Sequence, residues 1–132
     1  MATIFTRIVH GEIPCYRIAE NEQYLAFLDI NPLQEGHTLV IPKTEIDFIF
    51  DLDDQLHAGL WTFAKKVGKA IGRVIPCTKV GITVIGLEVP HAHIHLIPIN
   101  TLYDMDFRKP KRSFTSAEFL QIAAKIAGAM DQ

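Results

Sequence analysis

The spacing of hydrophobic residues along this 132-residue chain changes several times, and each change marks an element. Ile4, Phe5, Ile8 and Val9 recur at helical steps, so a short helix is predicted that stops near the breaker run "HGEIP". "CYRIAE" and "YLAFLDI" flank the turn "NEQ" and read as the two strands of a hairpin. "NPLQEG" is a loop, and "HTLVIP" is a third strand ended by Pro42. From Asp51 to about Val74 the apolar positions are Leu52, Leu56, Leu60, Phe63, Val67, Ile71 and Val74, one stripe of a long helix. Asp51, Asp53 and Asp54 suit its N-terminal dipole, Lys65, Lys66 and Lys69 suit the later turns, and Pro76 closes it. Trp61 and Phe63 on it read as packing residues. "KVGITVIG" and "EVPHAHIHLIPI" are two more strands, and "RKPKRS" is a solvated basic loop. "FTSAEFLQIAAKIAGAM" closes the chain as a helix. Thr115 or Ser116 caps it, and Phe119, Leu120, Ile122, Ala123, Ile126 and Ala127 form its buried face. Strands joined by short turns, with helices set apart, predict an α+β fold. It has an antiparallel sheet of about five strands, one long central helix and a C-terminal helix, in a single domain over residues 1–132.

Composition narrows the function classes. Apolar residues make up 48% and charged residues 21%, an ordinary globular balance. The net charge is -2 with no long block of one sign, which argues against nucleic acid as a main partner. No apolar stretch approaches the ~20 residues needed to span a bilayer, and the N-terminal segment lacks the apolar core of a signal peptide. Cys15 and Cys77 form no Cys-x-x-Cys motif and read as free thiols. The expectation is a cytoplasmic protein without a membrane association.

The chemistry concentrates in "VPHAHIHLIPIN", residues 89–100, where His91, His93 and His95 occupy alternate positions. On a strand these three imidazoles share one face, while Ala92, Ile94 and Leu96 pack on the other. Three readings follow. In a metal site, a straight strand spaces neighbouring histidines roughly 6.6 Å apart and the outer pair roughly 13 Å apart. Zn–N bonds are about 2.0–2.1 Å, so the third histidine reaches a common ion poorly and a ligand from elsewhere is needed. In the second reading the row is simply a polar, half-exposed sheet face. In the third, a neutral imidazole attacks phosphorus and its neighbours orient it and bind phosphate oxygens. A linear row suits the third best: the centre attacks and the sides clamp.

The run "PHAHIHLIP" resembles the His-φ-His-φ-His-φ-φ motif of the histidine-triad (HIT) nucleotide-binding family. "IFTRIVHGEIP" looks like that family's N-terminal signature, "LAFLDINP" like its ribose-contacting segment and "EGHTLVIPK" like the strand that follows. These matches run in family order from Ile4 to Pro98. The resemblance implies a HIT-like fold and a hydrolase or transferase of purine nucleoside phosphoramidates or dinucleoside polyphosphates, acting through a covalent nucleotidyl-histidine. By motif position His93 is the nucleophile. His91 and His95 bind phosphate and stabilise developing charge, and His37 sits beside the row and helps orient it. Asp29 takes the ribose hydroxyls, and Phe5, Ile8, Ile13, Phe27 and Ile30 wall the purine pocket. An AMP- or GMP-like purine nucleotide is the implied ligand, a homodimer the implied assembly, and no cofactor is required. His10 and His57 match nothing in the family and read as surface residues.

Three departures bear on the activity. Leu87 in "GLEVPH" stands where the family usually has a glutamine that hydrogen-bonds near the phosphate or leaving group. The Asn- and Gly-rich loop before the triad is shortened to "KVGITVIGLEVPH", without asparagine. Many relatives bind zinc through an N-terminal Cys-x-x-Cys and a later histidine; those places fall on Thr3, Thr6 and Glu45, so structural zinc is not expected. The first two losses support an alternative, a nucleotide-binding or regulatory module with weak turnover.

Overall fold

The computed structural model describes residues 2–130. In chain order the elements are α1 (Ile4–Val9), β1 (Arg17–Glu20), β2 (Tyr24–Leu28), β3 (Thr38–Pro42), α2 (Asp54–Val74), β4 (Lys79–Thr83), β5 (Ile94–Ile99) and α3 (Ser116–Gly128). The strands form one sheet in the order β1-β2-β3-β5-β4, with every neighbouring pair antiparallel. The α+β expectation with five antiparallel strands is met.

Helix ends follow local chemistry. Asp53 caps α2 by accepting from the Leu56 N–H, so the helix starts at Asp54 rather than Asp51. Asp51 and Leu52 belong instead to a short 3-10 turn, Ile49–Asp51, and its C-cap. Thr115 and Glu118 form a reciprocal capping box at the start of α3. On α3, Phe119, Ile122, Ala123 and Ile126 are buried as expected, but Leu120 points outward and is exposed. Leu120 lies one residue past Phe119, about 100° round the helix and off the buried stripe.

The sheet separates two apolar layers. On one face Ala26, Leu28, Val40, Ile94 and Leu96 pack against Leu60, Phe63, Val67 and Ile71 of α2 and Ile126 of α3. On the other, Leu25, Phe27, Leu39 and Ile41 receive Phe5 and Ile8 from α1. Strands β2 and β3 are therefore buried at every position. Register carries this second face toward the histidines: Phe27 pairs with Leu39, and Leu39 pairs with His95. The layer that holds α1 is thus continuous with the triad.

Strand β5 begins at Ile94, later than the sequence pattern predicts, so His91 and His93 precede it. The chain there is held by a tight turn, with the His91 N–H donating to the Val89 carbonyl at 2.8 Å and the Ala92 N–H to the Ile46 carbonyl at 2.7 Å. Those bonds use backbone N–H groups that a continued strand would give to its neighbours in the sheet. The other strands are also shorter than expected. Among the described residues no helix is long and apolar enough to cross a membrane.

Candidate functional site

His37 is placed by the turn before β3. Gly36 adopts φ +88°, a conformation that L side chains rarely take. A Cβ there would also approach Ile75 Cγ1 to 3.1 Å, so glycine satisfies both the turn and the packing. His37 Nδ1 accepts the Leu33 N–H at 3.0 Å, which leaves the proton of the neutral ring on Nε2. His37 Nε2 lies 3.0 Å from His95 Nδ1 and donates to it. The neutral His95 ring therefore carries its proton on Nε2, away from His37. Burial, then the neighbouring His37 and His93, push the His95 pKa down to about 3. Burial, followed by the positive charges of Lys111 and Lys109 and by His93, pushes His37 to about 3. Both rings are neutral near pH 7, and the pair is a directional relay ending in an N–H donor.

His93 is oriented differently. Its Nδ1 lies 2.7 Å from the His91 carbonyl oxygen, which can only accept, so Nδ1 is the protonated nitrogen. In the neutral ring the lone pair sits on Nε2. His93 and His95 have ring centroids 4.9 Å apart, inclined at 63°. The edge of Phe5 packs on His93 at 5.0 Å between centroids. One neighbour therefore offers a donor N–H and the other an unshared pair, the complement needed to attack an electrophile while holding its oxygen.

His91 departs from the expectation of a phosphate clamp. It is fully buried. Its Nε2 donates to the Pro42 carbonyl at 2.8 Å, and its Nδ1 lies 3.0 Å from the Thr3 hydroxyl. Both ring nitrogens are used inside the protein, and burial lowers its pKa. Its carbonyl oxygen accepts from His93 Nδ1.

The expected nucleoside-pocket residues divide into two groups. Phe5, Ile8 and Phe27 are buried together, with Phe5 and Phe27 in edge contact at 5.6 Å, and Ile13 packs against this cluster half-buried. Ile30 is 62% exposed and stands apart from that cluster. Asp29 is half-buried; one oxygen accepts the Asn31 N–H at 2.9 Å and the other lies 3.6 Å from His37 Nε2. His10 is exposed, and His57 is half-buried as the acceptor of the Trp61 indole N–H at 3.0 Å.

Phe107 was missed by sequence reasoning. Its ring meets His95 at 5.0 Å and His37 at 6.2 Å, covering the relay. The segment read as a solvated loop runs past it, with Arg112 N–H bonded to the Pro32 carbonyl and Lys109 to Gln34. A lone phenylalanine before a basic run carries no periodic signal, so only the fold reveals it. On another side of His93 lies a cleft of about 600 Å³, lined in part by Phe48, Phe50, Ile82, Ile85 and Leu87. Leu87 is 89% exposed on its rim.

Asp29, His37 and His95 bring potential ligand atoms within 4.8 Å of one another. The facing nitrogens of the two histidines are already joined, so an ion between them would have to break that hydrogen bond.

Comparison with known proteins bears on the family and the fold. Residues 10–102 match the HIT domain family. An adenosine 5′-monophosphoramidase of Schizosaccharomyces pombe is 41% identical over 129 residues, covering 96% of this chain and 97% of its own. The crystal structure of a HIT-like protein from Bartonella henselae superposes with a TM-score of 0.84 at 26% identity, covering 96% of this chain and 95% of that one. A zinc-bound histidine triad family protein from Mycobacterium smegmatis gives 0.83 at 27% identity, covering 98% and 94%. The chain belongs to the HIT domain family.

Proposed function

We propose that this protein is a hydrolase, or nucleotidyl transferase, of purine nucleoside phosphoramidates or dinucleoside polyphosphates, with His93 as the nucleophile. The observation that carries the reading is the hydrogen bond from His93 Nδ1 to the His91 carbonyl, which leaves Nε2 with its lone pair. Nε2 attacks the α-phosphorus and forms a P–N bond while the bond to the leaving group breaks. A leaving amine departs after taking a proton from solvent. Water then attacks the phosphorus and gives up a proton to solvent, the P–Nε2 bond breaks, and its electron pair returns to His93. The His95 N–H, aligned by His37, donates to the phosphate oxygen as negative charge builds. Asp29 accepts from the ribose hydroxyls, and Phe5, Ile8, Ile13 and Phe27 pack on the purine, with Ile30 at the mouth of that pocket. The phosphoramidase named for the fission-yeast relative supports the substrate class.

We further read the protein as cytoplasmic, with Cys15 and Cys77 as free thiols, and as a homodimer. The dimer is supported by the resemblance and by the end strand β4, on which Ile82 is exposed. Light scattering on the purified protein measures the assembly directly.

The test of the catalytic reading is intact mass spectrometry of early-quenched mixtures with adenosine 5′-phosphoramidate. An added AMP mass on His93, absent in His93→Ala while AMP binding remains, is the expected result. Tight AMP binding with neither adduct nor turnover would instead favour a nucleotide-binding module, the reading that the exposed apolar Leu87 supports.

A further inference from the structure

The place where many family members hold zinc is built here from different chemistry. Thr3, Thr6, Glu45 and His91 meet there. The Glu45 carboxylate accepts the Thr3 N–H at 2.7 Å and the Thr6 hydroxyl at 2.6 Å. The Thr3 hydroxyl oxygen accepts the Thr6 N–H at 3.1 Å and lies 3.0 Å from His91 Nδ1, while the Thr6 hydroxyl is 3.4 Å from that nitrogen. Zinc sites use thiolate, imidazole and carboxylate ligands. Two of these four side chains are neutral hydroxyls, and the carboxylate and imidazole are already hydrogen-bonded, so the set does not fit zinc.

The protons can be assigned around the cluster. Thr6 gives its hydroxyl proton to Glu45, so it has none for His91. His91 Nε2 must donate to the Pro42 carbonyl at 2.8 Å, so Nδ1 of the neutral ring is an acceptor. The Thr3 hydroxyl is then the donor to it. His91 in turn presents its carbonyl to His93 Nδ1 at 2.7 Å. An unbroken path runs from exposed Glu45, through buried Thr3 and His91, to the ring that faces the cleft. The same contacts tie the N-cap of α1, and with it Phe5, to the exit of β3.

We propose that Thr3, Thr6 and Glu45 are a metal-independent positioning device that fixes the orientation of His91, whose tautomer the Pro42 carbonyl sets, and through the placement of the His91 carbonyl the orientation and tautomer of His93. They touch no substrate. Thr3 is the central positioning residue, because its hydroxyl lies 3.0 Å from the imidazole nitrogen and has a proton to give it, whereas the Thr6 hydroxyl proton is held by Glu45. The device replaces a bound ion with hydrogen bonds supplied by the chain itself. Its kinetic consequence rests on His93 being the nucleophile; its structural consequence does not.

The experiment therefore has two arms. Side-chain ¹H–¹⁵N NMR reads the imidazole tautomers of the wild type, Thr3→Val and Thr3→Ser. The wild type and Thr3→Ser are expected to show His91 protonated on Nε2 and His93 on Nδ1, and Thr3→Val is expected to show His93 as a mixture. In the kinetic arm, with adenosine 5′-phosphoramidate, Thr3→Val lowers kcat about tenfold with KM changed less than about twofold, and Thr3→Ser restores it. Glu45→Ala, at an exposed position, is the second variant should Thr3→Val not fold; it releases the Thr6 hydroxyl to compete for His91 and mixes the His93 tautomer likewise. Unchanged tautomers in Thr3→Val, or in Glu45→Ala where Thr3→Val does not fold, would overturn the proposal, as would stoichiometric zinc in the purified protein that is lost with His91→Ala. If the wild type turns over no phosphoramidate, the reading of His93 fails, while the tautomer measurements still decide this one.

Discussion

His37 Nε2 lies 3.0 Å from His95 Nδ1, and the direction of that bond is decided one step earlier by the Leu33 N–H. An amide can only donate, so each later proton position follows from it. Replacing His37 by leucine keeps the bulk and removes the relay. His95 then loses its fixed tautomer, and its Nε2–H is present only part of the time. Loss of one preorganised donor to developing charge lowers kcat about a hundredfold. Steady-state turnover of adenosine 5′-phosphoramidate by His37→Leu, with AMP affinity measured beside it, checks this. A kcat equal to wild type would remove His37 from the mechanism.

The same burial makes stability depend on pH. His37 and His95 sit at about 3 in the folded protein, against about 6.5 for a free imidazole. As pH falls below about 6.5 the unfolded chain takes up protons that the folded chain refuses. Their stabilisation is thus fully present above about 6.5 and is lost as pH falls through about 3. Each ring contributes up to about 1.4 kcal/mol per pH unit in that window. Urea unfolding between pH 7 and pH 4.5 is expected to show the loss, with a shallower slope in His37→Leu. A flat profile over that range would mean that the rings accept protons in the fold.

These two histidines also show what the sequence could and could not reveal. The stripe Leu60, Phe63, Val67 and Ile71 announced α2 because helical periodicity is local, and its buried face is as expected. His93 and His95 were legible because they alternate within one segment. The fate of His91 was not, since its ring partners, Thr3 and Pro42, lie 88 and 49 residues away. Alternation placed all three imidazoles on one strand face, yet β5 starts only at Ile94 and the turn before it draws His91 inward. Phe107 reaches the site only because the chain after β5 folds back over His37 and His95.

Asp29 has two separable parts. One oxygen caps its own turn through the Asn31 N–H, and the other faces His37 at 3.6 Å. Asn in its place can still accept from Asn31, so Asp29→Asn removes the charge and little else. The KM for a ribonucleotide substrate is expected to rise about tenfold, because a carboxylate accepts from hydroxyls more strongly than an amide does. Discrimination against a 2′,3′-dideoxy analogue should shrink by the same factor. Comparing kcat/KM for the two sugars in wild type and variant measures it, and retained discrimination would place the ribose elsewhere.

Exchange of Leu87 tests whether the site works as an efficient enzyme or a weak one. Its side chain is 89% exposed on the rim of the cleft that His93 lines, so it contributes little to packing. Exchanging it for glutamine should change stability by less than about 0.5 kcal/mol. An amide there can hydrogen-bond to the phosphate or the leaving group, which an isobutyl group cannot. If that bond is formed in the transition state, Leu87→Gln raises kcat about fivefold to tenfold, since one neutral hydrogen bond is worth about 1 kcal/mol. Tm and AMP affinity should hardly move. A kcat that does not rise, with the fold intact, would show that this rim does not meet the leaving group, and the apolar wall of Phe48, Phe50, Ile82 and Ile85 would become the surface to vary next.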